Sequence, residues 1–322
     1  MSRVELPSKP AALPRESLTD EGTAPSSVRL YGGLTDWAFI TFVHLFIIFF
    51  IVICLLPFWL VLVGSFTQEP TLRLQGFQLF TTDLSLEAYE YVFEGRQVFT
   101  SYRVTLFTTI VGTVMSMLVT TPYAYVLASK RAKYANALAF MTYFTMIFGG
   151  GLLGTYILIA NWLDLKDKVW ALILPYLLNP FYAFIIVAYF RNLPEEIIEA
   201  AIIDGANEFT IFWRIAFPLA KPVVASVTLF TALRFWNDWW LSLLFIDSHE
   251  LHTLQMMIRQ LQSAINAAQY INSGQATITT ELVPAYGVRM ATVILTIGPI
   301  ILAYPFLQRY FVKGMTVGAV KG

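Results

Sequence analysis

The chain has 322 residues, 57% of them hydrophobic and 13% charged, and its 21 basic residues balance 21 acidic ones. That composition, with a mean hydropathy of +0.63, excludes an ordinary water-soluble domain and describes a chain that crosses a membrane repeatedly. Zero net charge, with no basic face and no aromatic RNA-binding pattern, gives no ground for a nucleic-acid partner.

Residues 1–33 are rich in Pro, Ser, Glu and Arg and contain no apolar stretch, so they read as a disordered cytoplasmic tail rather than a cleavable signal. The first apolar run, near Trp37–Gly64, is then the membrane anchor itself. Five more runs are long enough to span a hydrocarbon core of about 30 Å. They lie near Val104–Ala128, Ala137–Trp162, Val169–Phe190, Val223–Phe245 and Met290–Phe311. The expected fold is all-α, with six transmembrane helices in one membrane domain over 34–313. A β-barrel is excluded because the runs stay apolar for more than about 18 residues, whereas barrel strands alternate over about ten. Cys54 is the only cysteine and falls in the first run, so it supports neither a disulfide nor a thiolate metal site.

Between the first two runs, Ser65 to Tyr102 carries Glu69, Asp83, Glu87, Glu90 and Glu94, and Leu84–Phe93 has the pattern of a short amphipathic helix. In the third run, Phe148-Gly149-Gly150-Gly151-Leu152-Leu153-Gly154-Thr155-Tyr156 places four glycines where the backbone can be approached closely or can unwind. The glycine spacing is that of a phosphate-binding loop, but Thr155 stands where the lysine belongs and the run is intramembrane. Two readings stay open for Gly150, Gly151 and Tyr156: close helix packing, or the wall of a substrate pathway.

A polar insert, 191–221, follows the fourth run. Pro194 opens a helix, Glu195 and Glu196 sit in its first turn where the dipole favours acids, and Gly205 can take a left-handed cap at its end. A second short helix is expected from Asn207 to Phe217, stopping before Pro218. Glu195, Glu196 and Glu199 share the first helix, which suits an ionic contact with another protein better than acid–base chemistry. The alternative is an amphipathic helix lying in the membrane interface.

The fifth run holds the densest polar cluster within any run: Arg234, Trp236, Asn237 and Asp238, followed by Trp239 and Trp240. Arg234 and Asp238 are four apart, so a continuous helix puts them on one face, able to pair. Charges inside a span are tolerated when they face a bundle interior or an aqueous cavity, so this face belongs to a pore or to a partner helix. A structural ion pair and a pathway role are both open. Trp239 and Trp240 fit interfacial anchors better than platforms for sugar rings.

Ile246–Arg289 is longer than a connection between two spans requires, with helical periodicity over His252–Ile271 and a polar turn region over Asn272–Thr280. Such a loop is a candidate contact for an external partner. His249-Glu250-Leu251-His252 lacks the spacing of a zinc-binding His-Glu-x-x-His helix, and no catalytic constellation of serine, histidine and acid or of paired carboxylates can be argued. The chain closes on a small, glycine-containing tail, 314–322.

Orientation follows from the basic residues. With both termini on one side, that side receives thirteen of the 21 and the other seven, with Arg234 inside a span. The positive-inside rule then places both termini, and the 191–221 insert, in the cytoplasm.

With these residues in place, the chain resembles a carbohydrate ABC-transporter permease of the maltose-transporter MalG type, in the subgroup that handles oligosaccharides, over about Leu34 to Gly322. Glu199-Ala200-Ala201-Ile202-Ile203-Asp204-Gly205 with Ile215-Ala216-Phe217-Pro218 is similar to the EAA loop of these permeases. The glycine segment up to Tyr156, Trp236-Asn237-Asp238, Leu254-Gln255, Arg289-Met290-Ala291 and the glycine-ended terminus carry the rest. Phe217 departs from the usual leucine before Pro218, and Gly154 stands where related oligosaccharide permeases often have proline.

The resemblance implies a type I ABC importer fold in the bacterial plasma membrane. Its implied partners are a second related permease, two ATPase subunits, an external or periplasmic sugar-binding protein and membrane lipid. It implies alternating access with no cofactor on this chain, ATP and Mg being held by the partner ATPases. Glu199, Ala200, Ala201, Asp204, Gly205, Ile215 and Pro218 are then the ATPase-coupling residues, Glu199 meeting a basic residue of the ATPase. The tail resembles one that reaches between the ATPases. Candidates for the substrate pathway are Gly150, Gly151, Tyr156, Arg234, Trp236, Asn237 and Asp238. The competing class is a secondary transporter or channel working without an ATPase; Arg234 and Asp238 suit it, and a docking loop does not.

Overall fold

The computed structural model of the chain describes residues 34–94, 96–273, 285–299 and 301. The two expected tails, most of the polar turn region at 272–280 and the end of the sixth run lie outside the described residues. The chain divides into two units, one up to Leu56 and the other from Pro57 onward.

Helix α1, Leu34–Ser65, is apolar all round, and Phe46, Phe49, Phe50 and Ile53 on successive faces are all exposed. A helix without a polar face is built for lipid or for a neighbouring apolar chain. Beyond it come α2, Glu69–Gln75, and α3, Glu87–Glu94. The amphipathic pattern suggested a start at Leu84, but Leu84 is held in an antiparallel bridge with Thr67. The flanking Ser85 N–H donates to the Phe66 carbonyl at 2.7 Å and Gln68 N–H to that of Asp83 at 3.0 Å. Those bonds compete with helical ones, so the helix waits until Glu87.

Helix α4, Gln97–Ala128, is the axis of the second unit and packs most extensively on two later helices, α7 and α10. Its buried face is small and polar: Ser101, Thr105, Thr108, Gly112, Ser116 and Thr120. Small residues let helix backbones approach without large side chains between them. At Gly112 the approach is closest, because a Cβ there would lie 2.6 to 2.9 Å from ring atoms of the buried Phe235. Gly112→Ala is therefore expected to destabilise the protein by about 1–3 kcal/mol through overpacking. Thermal melting in detergent checks this: Phe235→Leu should recover part of the loss in the double variant, and equal melting of Gly112→Ala and the parent would contradict it.

The third expected span is not one helix. α5, Ala135–Ile147, stops at Phe148, and α6, Gly151–Tyr156, leaves at 117° to it before passing into a π-helical turn, Ile157–Trp162. Gly151 at φ +70° makes the corner, a conformation a side chain would strain. The fourth span is likewise broken: short 3₁₀ turns at Val169–Leu172 and Leu174–Tyr176 precede α7, Pro180–Arg191, with a 43° bend. Pro175 and Pro180 cannot donate into a continuous ladder, and the Asn179 side chain instead caps the new helix by accepting from Tyr182 N–H at 3.2 Å.

Helices α8, Glu195–Ile203, and α9, Glu208–Ile211, follow, and a π-helical turn, Phe212–Ala216, leads without a break into α10, Phe217–Trp236. Pro218 was expected to end a short helix and does not. The wider π turn just before it accommodates the ring and the missing N–H that would disrupt a regular α-helix. The fifth span thus runs from Glu208 to Trp236 and breaks at Asn237, earlier than expected; α11, Trp240–Phe245, is a separate helix. Helix α12, Leu254–Ser273, and a final helix α13, 285–299, complete the described residues.

Among these residues α1, α4 and the 208–236 run are each long and apolar enough to cross a membrane, and the two bent pairs raise the number to five if each is one span. The sixth expected run begins within α13. Within the second unit the ends of α4 and α7 pack with the start of α10 through Leu127, Ile186, Phe190, Phe212 and Val224. Near the other end of α10, Trp236 packs with α3, α12 and α13 through Val92, Leu254, Met257 and Val288.

Candidate functional site

Two places carry the candidate residues. At the first, α8 ends in a turn that the sequence dictates closely. Gly205 sits at φ +82°, its N–H bonds the Ile202 carbonyl at 2.9 Å, and Ala206 N–H reaches back to Ala201 at 2.9 Å. This is the paired-bond cap that glycine favours, because any Cβ in the left-handed region is strained. Asn207 then opens α9 by accepting from Thr210 N–H at 2.8 Å. The two helices meet at a tip where Ile203 is 86% and Phe209 73% exposed.

Glu199, Asp204 and Gly205 are exposed as well, whereas Ala201 is buried and Ile215 half-buried beneath them. Glu199 makes no ion pair among the described residues and faces a cavity of about 520 Å³ shared with Tyr125, Arg131, Phe190 and Ile202. Pro218 lies on an exposed face of α10.

The turn between α4 and α5 braces this pair of helices. Lys130 pairs with Glu195, and Glu208 accepts from both Arg131 at 3.2 Å and the Tyr125 hydroxyl at 3.0 Å. Exposed pairs contribute under about 1 kcal/mol each, so they fix orientation more than stability. In the sequence Lys130 and Arg131 registered only as orientation signals; their spatial neighbours lie more than sixty residues away, beyond the reach of any spacing rule.

The second place is the opposite end of α10. The direct Arg234–Asp238 pair expected from their spacing does not form. The helix stops at Trp236, so Asp238 is no longer on the same helical face. Tyr176 stands between them: the Arg234 guanidinium lies 3.8 Å from its ring centroid, and its hydroxyl donates to Asp238 at 2.9 Å. Asp238 is only 8% exposed and also accepts from Leu241 N–H at 3.2 Å, capping the start of α11.

Trp236 is buried, its indole N–H donating to the Thr296 carbonyl at 3.2 Å, and packs among α3, α12 and α13 in this conformation. Asn237 is exposed and accepts from the Gln255 amide at 3.3 Å. Gly150 and Gly151 are exposed, with nothing within 4 Å of where a Cβ would be, so no other part of the described chain packs on them. Tyr156 stacks on Phe245, ring centroids 5.7 Å apart. Tyr176 carried no signal in the sequence beyond a tyrosine after Pro175. Among the described residues no three His, Cys, Asp or Glu side chains converge as a metal site would.

Broken and continuous apolar helices, with a helix-turn-helix carried directly on one long enough to cross a membrane, describe a polytopic membrane chain. The chain belongs to the family described as binding-protein-dependent transport system inner membrane component, which it matches over residues 98–317. It is 40% identical to protein LplC of Bacillus subtilis (strain 168) over 84% of this chain and 90% of that protein. It is 34% identical to the polygalacturonan/rhamnogalacturonan transport system permease protein YtcP of the same organism, over 86% and 96% of the two chains. A crystal structure of a bacterial ABC transporter involved in the import of the acidic polysaccharide alginate contains a chain that superposes with a TM-score of 0.74 at 26% identity. That match covers 88% of this chain and 99% of the other. The chain is thus an ABC importer permease of the inner membrane, a transport component.

Proposed function

We propose that this chain is one of two permeases in an ATP-driven importer for a carbohydrate, an oligosaccharide, that works by alternating access. ATP is hydrolysed on two partner ATPases, which dock against α8 and α9 from the cytoplasm, where both termini also lie. The observation that carries this reading is the continuity of α9, the π turn and α10. A push on the exposed tip at Ile203 and Phe209 is delivered to a spanning helix with no flexible linker between. An external sugar-binding protein delivers substrate at the opposite face. The carbohydrate assignment is supported by what the matched permeases are named for.

Purification of the tagged chain from its native membrane tests the assembly. An ATPase and a second permease should co-elute in stable proportion, and ion-driven sugar uptake by the chain alone in liposomes would contradict the reading. The 246–289 loop gives a second test. Leu254, Met257, Ile258 and Ile265 bind α12 into the core, so the variant removes 274–282 and leaves those four residues in place. The expected result is unchanged complex yield with a several-fold higher binding-protein concentration for half-maximal ATPase stimulation. An unchanged half-saturating concentration would give the loop another role.

A further inference from the structure

The start of α13 is held by a carboxylate from a distant part of the chain. The first N–H groups of a helix have no partner within it, and the residue just before the helix is the usual source of a cap. At α13 the acceptor is Glu69, the first residue of α2, 217 positions before Tyr286. Its Oε2 accepts from the Tyr286 and Gly287 N–H groups, each at 3.1 Å, and its Oε1 accepts from the Arg73 guanidinium at 3.0 Å. Glu69 is only 5% exposed. A negative group is favoured at the positive end of a helix, and a buried N–H that loses its acceptor is costly, so the bond ties α2 firmly to α13.

Packing on either side of this bond is close. A Cβ on Gly64, in the last turn of α1, would collide with Met290 Sδ, and one on Gly287 would lie 3.1 Å from Ala88 Cβ of α3. The segment 66–94 is itself stitched into one piece. Thr67 bridges Leu84, the Thr71 hydroxyl donates to Asp83 at 2.8 Å, and Phe66 stacks on Tyr89 with ring centroids 5.0 Å apart. From α13 the connection runs on to α10, because the Thr296 carbonyl accepts from the indole N–H of Trp236, the last residue of that helix. The other end of α10 continues through the π turn into α9.

We infer that Glu69 is a positioning residue of the transport cycle: it clamps α13 to the external segment 66–94, so that the two move as one body and a load placed on that segment by the binding protein reaches α10 through Trp236. This rests on the reading of the chain as an importer permease with 66–94 on the external side. Tightly packed, hydrogen-bonded elements pass a displacement on, whereas a joint that opens absorbs it.

The test uses the complex purified from its native membrane and reconstituted with its binding protein. Glu69→Ala should lower the maximal ATPase rate at saturating binding protein several-fold, while the half-saturating binding-protein concentration stays at the wild-type value. Glu69→Gln keeps one acceptor oxygen and should fall between the two, and Arg73→Gln, which spares both N–H bonds, should stay close to wild type. If Glu69→Ala fails to assemble, Glu69→Gln decides. Spin labels on cysteines at the exposed positions Gln75 and Tyr286, with Cys54 replaced by Ser, read the joint itself. Their dipolar coupling should be the same in the nucleotide-free and ATP-bound complex, and Glu69→Gln should make it differ between the two states. An unchanged maximal rate in the deciding variant, or a wild-type coupling that differs between the two states, overturns the inference while leaving the importer reading intact. A wild-type complex that its binding protein does not stimulate removes both.

Discussion

Gly205→Pro should reduce binding-protein-stimulated ATPase activity of the assembled complex at least tenfold, to near its basal rate. Proline fixes φ near about −65°, and this position needs +82°. The substitution also deletes the N–H that bonds Ile202 at 2.9 Å, so the turn joining α8 to α9 cannot keep its form. Gly205→Ala is the milder companion, since a left-handed alanine costs about 1–2 kcal/mol without losing the donor. Glu199→Ala removes an exposed charge that takes part in no ion pair among the described residues, and it should lower stimulation while leaving thermal stability unchanged. Full stimulation in both Gly205→Pro and Glu199→Ala would show that α8 and α9 do not carry the coupling.

Asp238→Ala should be the most damaging single substitution at the other end of α10. It strands the partly buried Tyr176 hydroxyl and the buried Leu241 N–H, each at a cost of about 1–3 kcal/mol, and leaves Arg234 without the carboxylate charge it interacts with through space. Asp238→Asn retains a carbonyl acceptor and should recover much of the yield. Because Tyr176 links the two charged residues, Tyr176→Phe and Asp238→Ala should be non-additive, the double variant being less impaired than the sum of the singles. Complex yield and melting temperature in a double-mutant cycle measure this. Strict additivity would place the two side chains in independent roles.

Much of this was legible in the chain. Apolar runs longer than a bilayer is thick fixed the class, and Pro194, Gly205 and Asn207 marked the boundaries of α8 and α9 because each acts through its own backbone geometry. What failed were inferences requiring a helix to continue. Spacing placed Arg234 and Asp238 on one face only if α10 passed Trp236, and the Asn237 and Asp238 side chains instead bond the backbone of Leu233 and Leu241. Pro218 seemed a stop and is absorbed by a π turn, which no local composition rule registers. The 117° corner at Gly150–Gly151 was visible as a weakness in the run but not as a direction. Tyr176 and the Lys130–Glu195 brace were invisible because their partners are remote in sequence and come together only through the packing of α4, α7 and α10.

The most direct measurement is a disulfide cross-link between the tip of α8 and the ATPase in the native complex, on a Cys54→Ser background that removes the one natural thiol. A cysteine at Ile203, the most exposed apolar residue of the tip, should join to a cysteine scanned along the ATPase surface, and the yield should change between the nucleotide-free and ATP-bound states. A cysteine at Trp240, at the opposite end of α10, should give no such adduct. Cross-linking from Trp240, or none from Ile203 in a complex that still co-purifies with its ATPase, would contradict the assignment of α8 and α9 as the site where ATP hydrolysis is converted into movement of the spanning helices.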